Sequence, residues 1–135
     1  MSARGRRSGV VGLAVLAPVL VWLVADPVWG HRLRIADGAR TLDIGVVAVG
    51  LAALLAALAG WGLLAALERF GIRRARAVWT GVAVAVLAVS FLPLTGDGMD
   101  GGTRGALALM HLAVAAVLIP GLRTKPPAAT SRRRR

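Results

Sequence analysis

The sequence predicts an all-α fold, a transmembrane four-helix bundle with short loops, and three observations carry that prediction. First, four apolar stretches run at about residues 9–25, 44–67, 77–94 and 105–122, together more than half of the 135-residue chain. A helix needs roughly 17–25 apolar residues to span a hydrocarbon core, so each stretch is long enough. Second, 57% of the residues are hydrophobic and the mean hydropathy is +0.72, above the apolar share of a soluble domain. A soluble chain of this length buries only about two-thirds of its extended surface, too little to hide four such helices. In lipid an all-apolar helix satisfies its own backbone and needs no polar face. Third, the charges are sorted between alternate loops.

That sorting sets an orientation. Arg4, Arg6 and Arg7 precede the first span. Glu68, Arg69, Arg73, Arg74 and Arg76 lie between the second and third. Arg123, Lys125 and Arg132 to Arg135 follow the fourth. These segments hold 13 of the 17 basic residues and one acid. The other two loops, 26–43 and 95–104, hold Arg32, Arg34, Arg40 and Arg104 against Asp26, Asp37, Asp43, Asp97 and Asp100. Basic residues in short loops mark the cytoplasmic side. The expected protein is therefore a multi-pass plasma (cell) membrane protein with both termini cytoplasmic. Its basic segments would meet the anionic lipid of the inner leaflet. Residues 1–125 form one transmembrane domain on this reading, and 126–135 a disordered basic tail behind Pro126 and Pro127.

The net charge of +11 also raises nucleic acid as a partner. No aromatic interleaving or recognition fold accompanies the arginines, so nucleic acid is not expected. The absence of cysteine removes disulfides, thiolate metal sites, Cys nucleophiles and S-palmitoylation. All basic residues but Lys125 are Arg, and with much Ala, Gly and Val the composition is that of a GC-rich bacterium. The N-terminus has a basic stretch and an apolar run ending at Leu23, Val24 and Ala25, as a signal peptide does. Leu23 and Trp22 suit its cleavage site poorly and Pro27 follows closely, so a retained first helix is expected.

Along the spans, Pro18 lies mid-helix and is expected to kink the first. Trp22, Trp29, Trp61 and Trp79 fall near span ends, the distribution of an aromatic interfacial belt. Ala48, Ala52, Ala56 and Gly60 recur every four residues on the second span, and Ala77, Gly81 and Ala85 do so on the third. Small residues let backbones approach, so these faces are the expected helix–helix contacts, within the bundle or between subunits. In the first outer loop Leu33 and Ile35 alternate with Arg32 and Arg34, and Asp37–Gly38 is a hairpin turn signal. A small extracytoplasmic β-hairpin over His31 to Asp43 follows, although two strands alone are marginal. In the second, Asp97 and Asp100 suggest a calcium loop, but ligand spacing and the closing Glu are missing. A solvated linker is expected there. Asp26 and Asp43 flank loop one as solvated helix-end residues.

His111 is the one ionisable residue inside a span, and such residues are functional hypotheses by default. It lies roughly 9 Å below the outer end of the fourth span, with Ala108 and Ala115 on its face and Ser90 at similar depth on the third. One reading is a neutral histidine bonded to Ser90, or to a carbonyl freed near Pro93, fixing helix packing. The other is a proton relay or pH sensor. The candidate intramembrane polar pair is His111 and Ser90. Catalytic motifs are missing: no HExxH, GxSxG, P-loop or paired carboxylates within a span. No catalytic, metal or cofactor residues are named, and the chain is not expected to be an enzyme.

The stretches Leu58-Ala-Gly-Trp-Gly-Leu-Leu-Ala-Ala-Leu-Glu-Arg-Phe70, Ala77-Val-Trp-Thr80 and Leu107-Ala-Leu-Met-His-Leu-Ala-Val-Ala-Ala-Val-Leu-Ile-Pro-Gly-Leu122 resemble an actinobacterial family of small four-helix integral membrane proteins, a domain of unknown function. The resemblance covers spans two to four and extends arguably over the whole chain. It implies the four-span architecture and an actinobacterial source, and it implies no activity. The expected function is that of a structural or accessory subunit acting through helix packing, with a second copy or another membrane protein as partner. The alternative is a small oligomeric transporter or channel with His111 in the pathway. A sensor using the hairpin as receptor is a third.

Overall fold

The computed structural model describes residues 3–28, 30, 32–37 and 39–123. Trp29, His31, Gly38, Lys125 and the tail 126–135, all named above, lie outside the described residues. The chain runs α1 (Ala3–Leu23), a π-helical turn (Val24–Val28), β1 (Arg34–Asp37), β2 (Arg40–Asp43), α2 (Val46–Arg69), α3 (Ala75–Ser90), a 3-10 turn (Leu92–Thr95) and α4 (Gly101–Arg123). Among the described residues there are four segments long and apolar enough to cross a membrane. This is the all-α architecture the apolar runs predict, and it fits a multi-pass membrane protein.

α1 packs most extensively on α4 and on α2, while α3 completes the bundle with smaller contacts to α2 and α4. Two apolar clusters close its ends. At the basic end, Ala14, Ala57, Leu64, Trp79, Leu118 and Leu122 are buried together. At the hairpin end, Ala25, Leu33, Val49 and Met110 form the second cluster, with Trp22 and Ile44 against it. Large side chains on other faces, such as Leu13, Leu20, Leu55 and Val86, stay exposed. In lipid they need no cover, because acyl chains are as apolar as leucine.

Several expectations change. α1 holds the buried Pro18, where a kink is expected, within one helical run, and a π turn follows at Val24–Val28. Trp79 is a core residue, 2% exposed, not a member of an interfacial belt. Its indole N–H donates to the Gly60 carbonyl oxygen at 2.7 Å, clamping α3 to α2. Trp22 is half-buried and donates to the Ile44 carbonyl at 2.7 Å, tying the end of α1 to the approach to α2. Both indoles are satisfied inside the protein, as buried Trp requires.

The hairpin forms with Arg34 opposite Asp43 and Asp37 opposite Arg40. Two strands gain support here from both flanks. Leu33 is buried, the Ile44 N–H donates to its carbonyl at 2.9 Å, and the Leu33 N–H donates to the Asp26 carboxylate at 3.3 Å. Asp26 is thus an anchor for the hairpin, not a solvated helix-end group. Asp43 is exposed and pairs with Arg34 at 2.8 Å. The loop before α4 adds a rung, since the Ala36 N–H donates to the Gly98 carbonyl at 2.7 Å. Gly98 sits at φ +125°, and a Cβ there would lie 2.9 Å from the Ala36 oxygen. A side-chain-bearing residue fits neither that backbone nor that gap.

Candidate functional site

The bundle has an apolar cleft of about 620 Å³ bounded by α2, α3 and α4, with Pro18 of α1 behind it. Its existence follows from the size of the residues on α2. Ala48, Ala52, Ala56 and Gly60 line the cleft, and the three alanines are exposed within it. The buried face of α2 is the adjoining one, Val49, Ala53, Ala57 and Leu64. The four-residue spacing therefore lines the cleft with small, exposed residues, and Gly60 packs against Trp79. On α3 the buried residues are Ala75 and Trp79, whereas Ala77, Gly81 and Ala85 are all exposed. At 100° per residue they point away from the cleft-lining Val82, Val86 and Ser90. Those three small residues take no part in packing inside the bundle.

His111 and Ser90 both line the cleft near its hairpin end, as the pairing of their depths predicts. They are not bonded to each other. The Ser90 hydroxyl donates to Leu87 O at 2.6 Å, one turn back on its own helix. His111 Nδ1 stands 2.7 Å from Leu107 O, also one turn back. A carbonyl only accepts, so Nδ1 carries the proton. Thr80 follows the same pattern, donating to Arg76 O at 2.8 Å. Each polar side chain is satisfied within its own helix, as hydroxyls and rings in apolar surroundings can be. His111 does gain a neighbour the sequence reading missed: the Phe91 ring lies 6.1 Å away, centroid to centroid, tilted by 44°. Phe91 is the first residue past α3, and only the relative heights of two helices bring it there.

At the basic end a second cluster was legible only as excess charge. Glu68 on α2 accepts from Arg7 on α1 at 2.8 Å and from Arg76 on α3 at 3.4 Å. Arg76 also reaches the Arg123 carbonyl on α4 at 3.5 Å. One carboxylate and two guanidiniums thus join all four helices. At the hairpin end, Asp100 caps α4: its carboxylate accepts from the N–H groups of Gly102 and Thr103 and from the Thr103 hydroxyl. Those bonds are the N-cap chemistry of a helix start. They give Asp100 the role of a helix cap, and it stays exposed in the solvated loop before α4. Among the described residues, no three of His, Cys, Asp or Glu stand close enough to hold a metal.

A family model matches residues 1–127, nearly the whole chain. The chain belongs to DUF6069, a family of unknown function. No curated protein and no solved structure matches it. For this DUF6069 chain, then, membership in a family of unknown function agrees with that part of the resemblance and brings no activity with it. The functional reading rests on the cleft, the exposed face of α3 and the charged cluster.

Proposed function

We propose that the chain is a multi-pass cell-membrane protein with cytoplasmic termini that serves as a structural or accessory subunit through helix packing. The observation that carries this is the state of α3. The helix buries only Ala75 and Trp79, and its Ala77, Gly81 and Ala85 present an exposed small-residue face. Such a face admits another transmembrane helix at close range, supplied by a partner protein or by a second copy. The orientation rests on the arginine distribution, and the basic end would lie against anionic headgroups. No catalytic role belongs to this reading; its support is that Thr80, Ser90 and His111 are each bonded to their own helix. A transport path needs polar groups along its length. Among the described residues, besides the Trp79 indole only Ser90 and His111 bring polar side chains to the cleft, which favours the accessory reading.

The test is native mass spectrometry of the tagged protein, gently extracted from its own host membrane, beside a Gly81→Leu variant. A stoichiometric partner or second copy that Gly81→Leu removes is the expected result. A monomer throughout, or an assembly indifferent to Gly81→Leu, rejects α3 as the contact. A homo-oligomer conducting in liposomes, with flux lost in His111→Ala, would replace this reading with the transporter.

A further inference from the structure

The turn between α2 and α3 carries three arginines that no acid of the chain neutralises, with two apolar side chains set between them. We propose that this turn binds one anionic phospholipid of the leaflet at the basic end. Arg69, Arg73 and Arg74 hold the headgroup phosphate, and Phe70 and Ile72 seat among the acyl chains. The proposal rests on the membrane reading above, and it stands whether or not α3 binds a partner.

The turn is fixed by its own backbone. Only residues 70–74 separate two apolar helical segments, so in a membrane the turn lies at the level of the headgroups. The Gly71 N–H donates to Glu68 O at 3.2 Å and the Ile72 N–H to Leu67 O at 3.1 Å. Those are the two bonds of a Schellman cap, which needs a left-handed residue at its centre. Gly71 supplies it at φ +68°. The Ala75 N–H then donates to Ile72 O at 3.0 Å, where α3 begins. Arg69, Arg73 and Arg74 therefore belong to one compact, bonded turn.

Charge calls for an anion from outside the chain. Glu68 is the only acidic side chain outside residues 26–43 and 97–100, and it is already engaged. Arg7 holds one of its oxygens at 2.8 Å and Arg76 the other at 3.4 Å. Arg69, Arg73 and Arg74 are exposed. Among the described residues none of the three makes an ion pair or a hydrogen bond. Like charges this close in sequence repel one another, and an anion relieves them. The guanidinium fork matches a phosphate with two parallel bonds.

The apolar pair decides which phosphate. Phe70 is 79% exposed, more than any other large apolar side chain among the described residues, and Ile72 is 43% exposed. A soluble phosphate would leave both in water. A phospholipid brings the anion and the apolar cover in one molecule, as basic segments with apolar neighbours at a membrane surface require.

The test titrates the purified full chain, in neutral detergent, with phosphatidylglycerol or with phosphatidylcholine of the same acyl chains. Native mass spectrometry counts the lipid bound. The expected result is one saturable phosphatidylglycerol, held more tightly than phosphatidylcholine. Replacing both residues, Arg73→Gln with Arg74→Gln, should weaken phosphatidylglycerol about thirtyfold and leave phosphatidylcholine unchanged. Arg32→Gln with Arg40→Gln removes two exposed charges from the hairpin end and should change neither. Phe70→Ser should weaken both lipids alike, by about fivefold, because they share the same chains, and Phe70→Leu should restore them. Equal affinity for the two lipids, uptake that never saturates, or an equal loss in the hairpin-end pair overturns the site. Phosphatidylglycerol binding indifferent to Phe70→Ser, or competed as well by soluble glycerol phosphate, assigns the arginines to a free anion and overturns the lipid. A chain that takes up neither lipid and stays dispersed without detergent refutes the membrane reading itself.

Discussion

Two glycines on neighbouring helices should respond to alanine in opposite ways. Gly121 on α4 faces Val10 of α1 so closely that a Cβ there would lie 2.7 and 2.8 Å from the two Val10 methyls and 3.4 Å from its Cβ. Real side chains do not approach so near. Valine cannot swing aside cheaply, because its branched Cβ restricts χ1 in a helix, so the α1–α4 backbones must separate. Overpacking of this kind costs about 1–3 kcal/mol. Gly60, by contrast, would bring its Cβ 3.8 Å from the Trp79 ring, an ordinary contact. Alanine also gains about 1 kcal/mol of helix propensity over glycine at each site. The difference between the two variants cancels that gain and leaves the steric term. Gly60→Ala should be neutral or stabilising, and Gly121→Ala less stable than it by about 1–3 kcal/mol. The assay is unfolding in mixed dodecylmaltoside and SDS micelles, followed by Trp fluorescence and circular dichroism. Val10→Ala removes both offending methyls, so in a double-mutant cycle it should recover most of the loss. Equal stabilities for the two variants, or no coupling between positions 10 and 121, would refute the reasoning.

Three further outcomes are expected. Glu68→Gln should cost about 0.5–1 kcal/mol through weakened bonds to Arg7 and Arg76, and its unfolding should depend less on salt than that of the parent; an unchanged salt dependence sinks the role of the cluster. Gly98→Ala meets both a positive φ and the Ala36 oxygen, a local strain of about 1–3 kcal/mol, so amide exchange at Ala36 should accelerate while the helices keep their protection. His111→Phe should cost under about 1 kcal/mol, because Nδ1 bonds its own helix, whereas His111→Ala should lose about 1 kcal/mol of ring contact with Phe91. Equal and large losses in both would mean that a bond between helices had been missed.

The sequence by itself determined the four long apolar helices, the hairpin between the first two and the sorting of charge. Each of these is a local property: apolar length, alternation, a turn signal, the sign of a loop. Even the level of His111 with Ser90 followed from counting residues along two helices. What the sequence did not determine was which face of each helix meets another. In a soluble helix the polar face marks the outside, but lipid and a helix neighbour are equally apolar, so periodicity is silent. The tertiary structure alone showed that Ala48, Ala52 and Ala56 wall a cleft, that Ala77, Gly81 and Ala85 face away from it, and that the tight glycine is Gly121. It alone set Trp79 on Gly60, Phe91 beside His111 and Glu68 between Arg7 and Arg76. Those contacts join residues on different helices, and they depend on the heights and rotations at which the four rods settle, which no single stretch of sequence encodes.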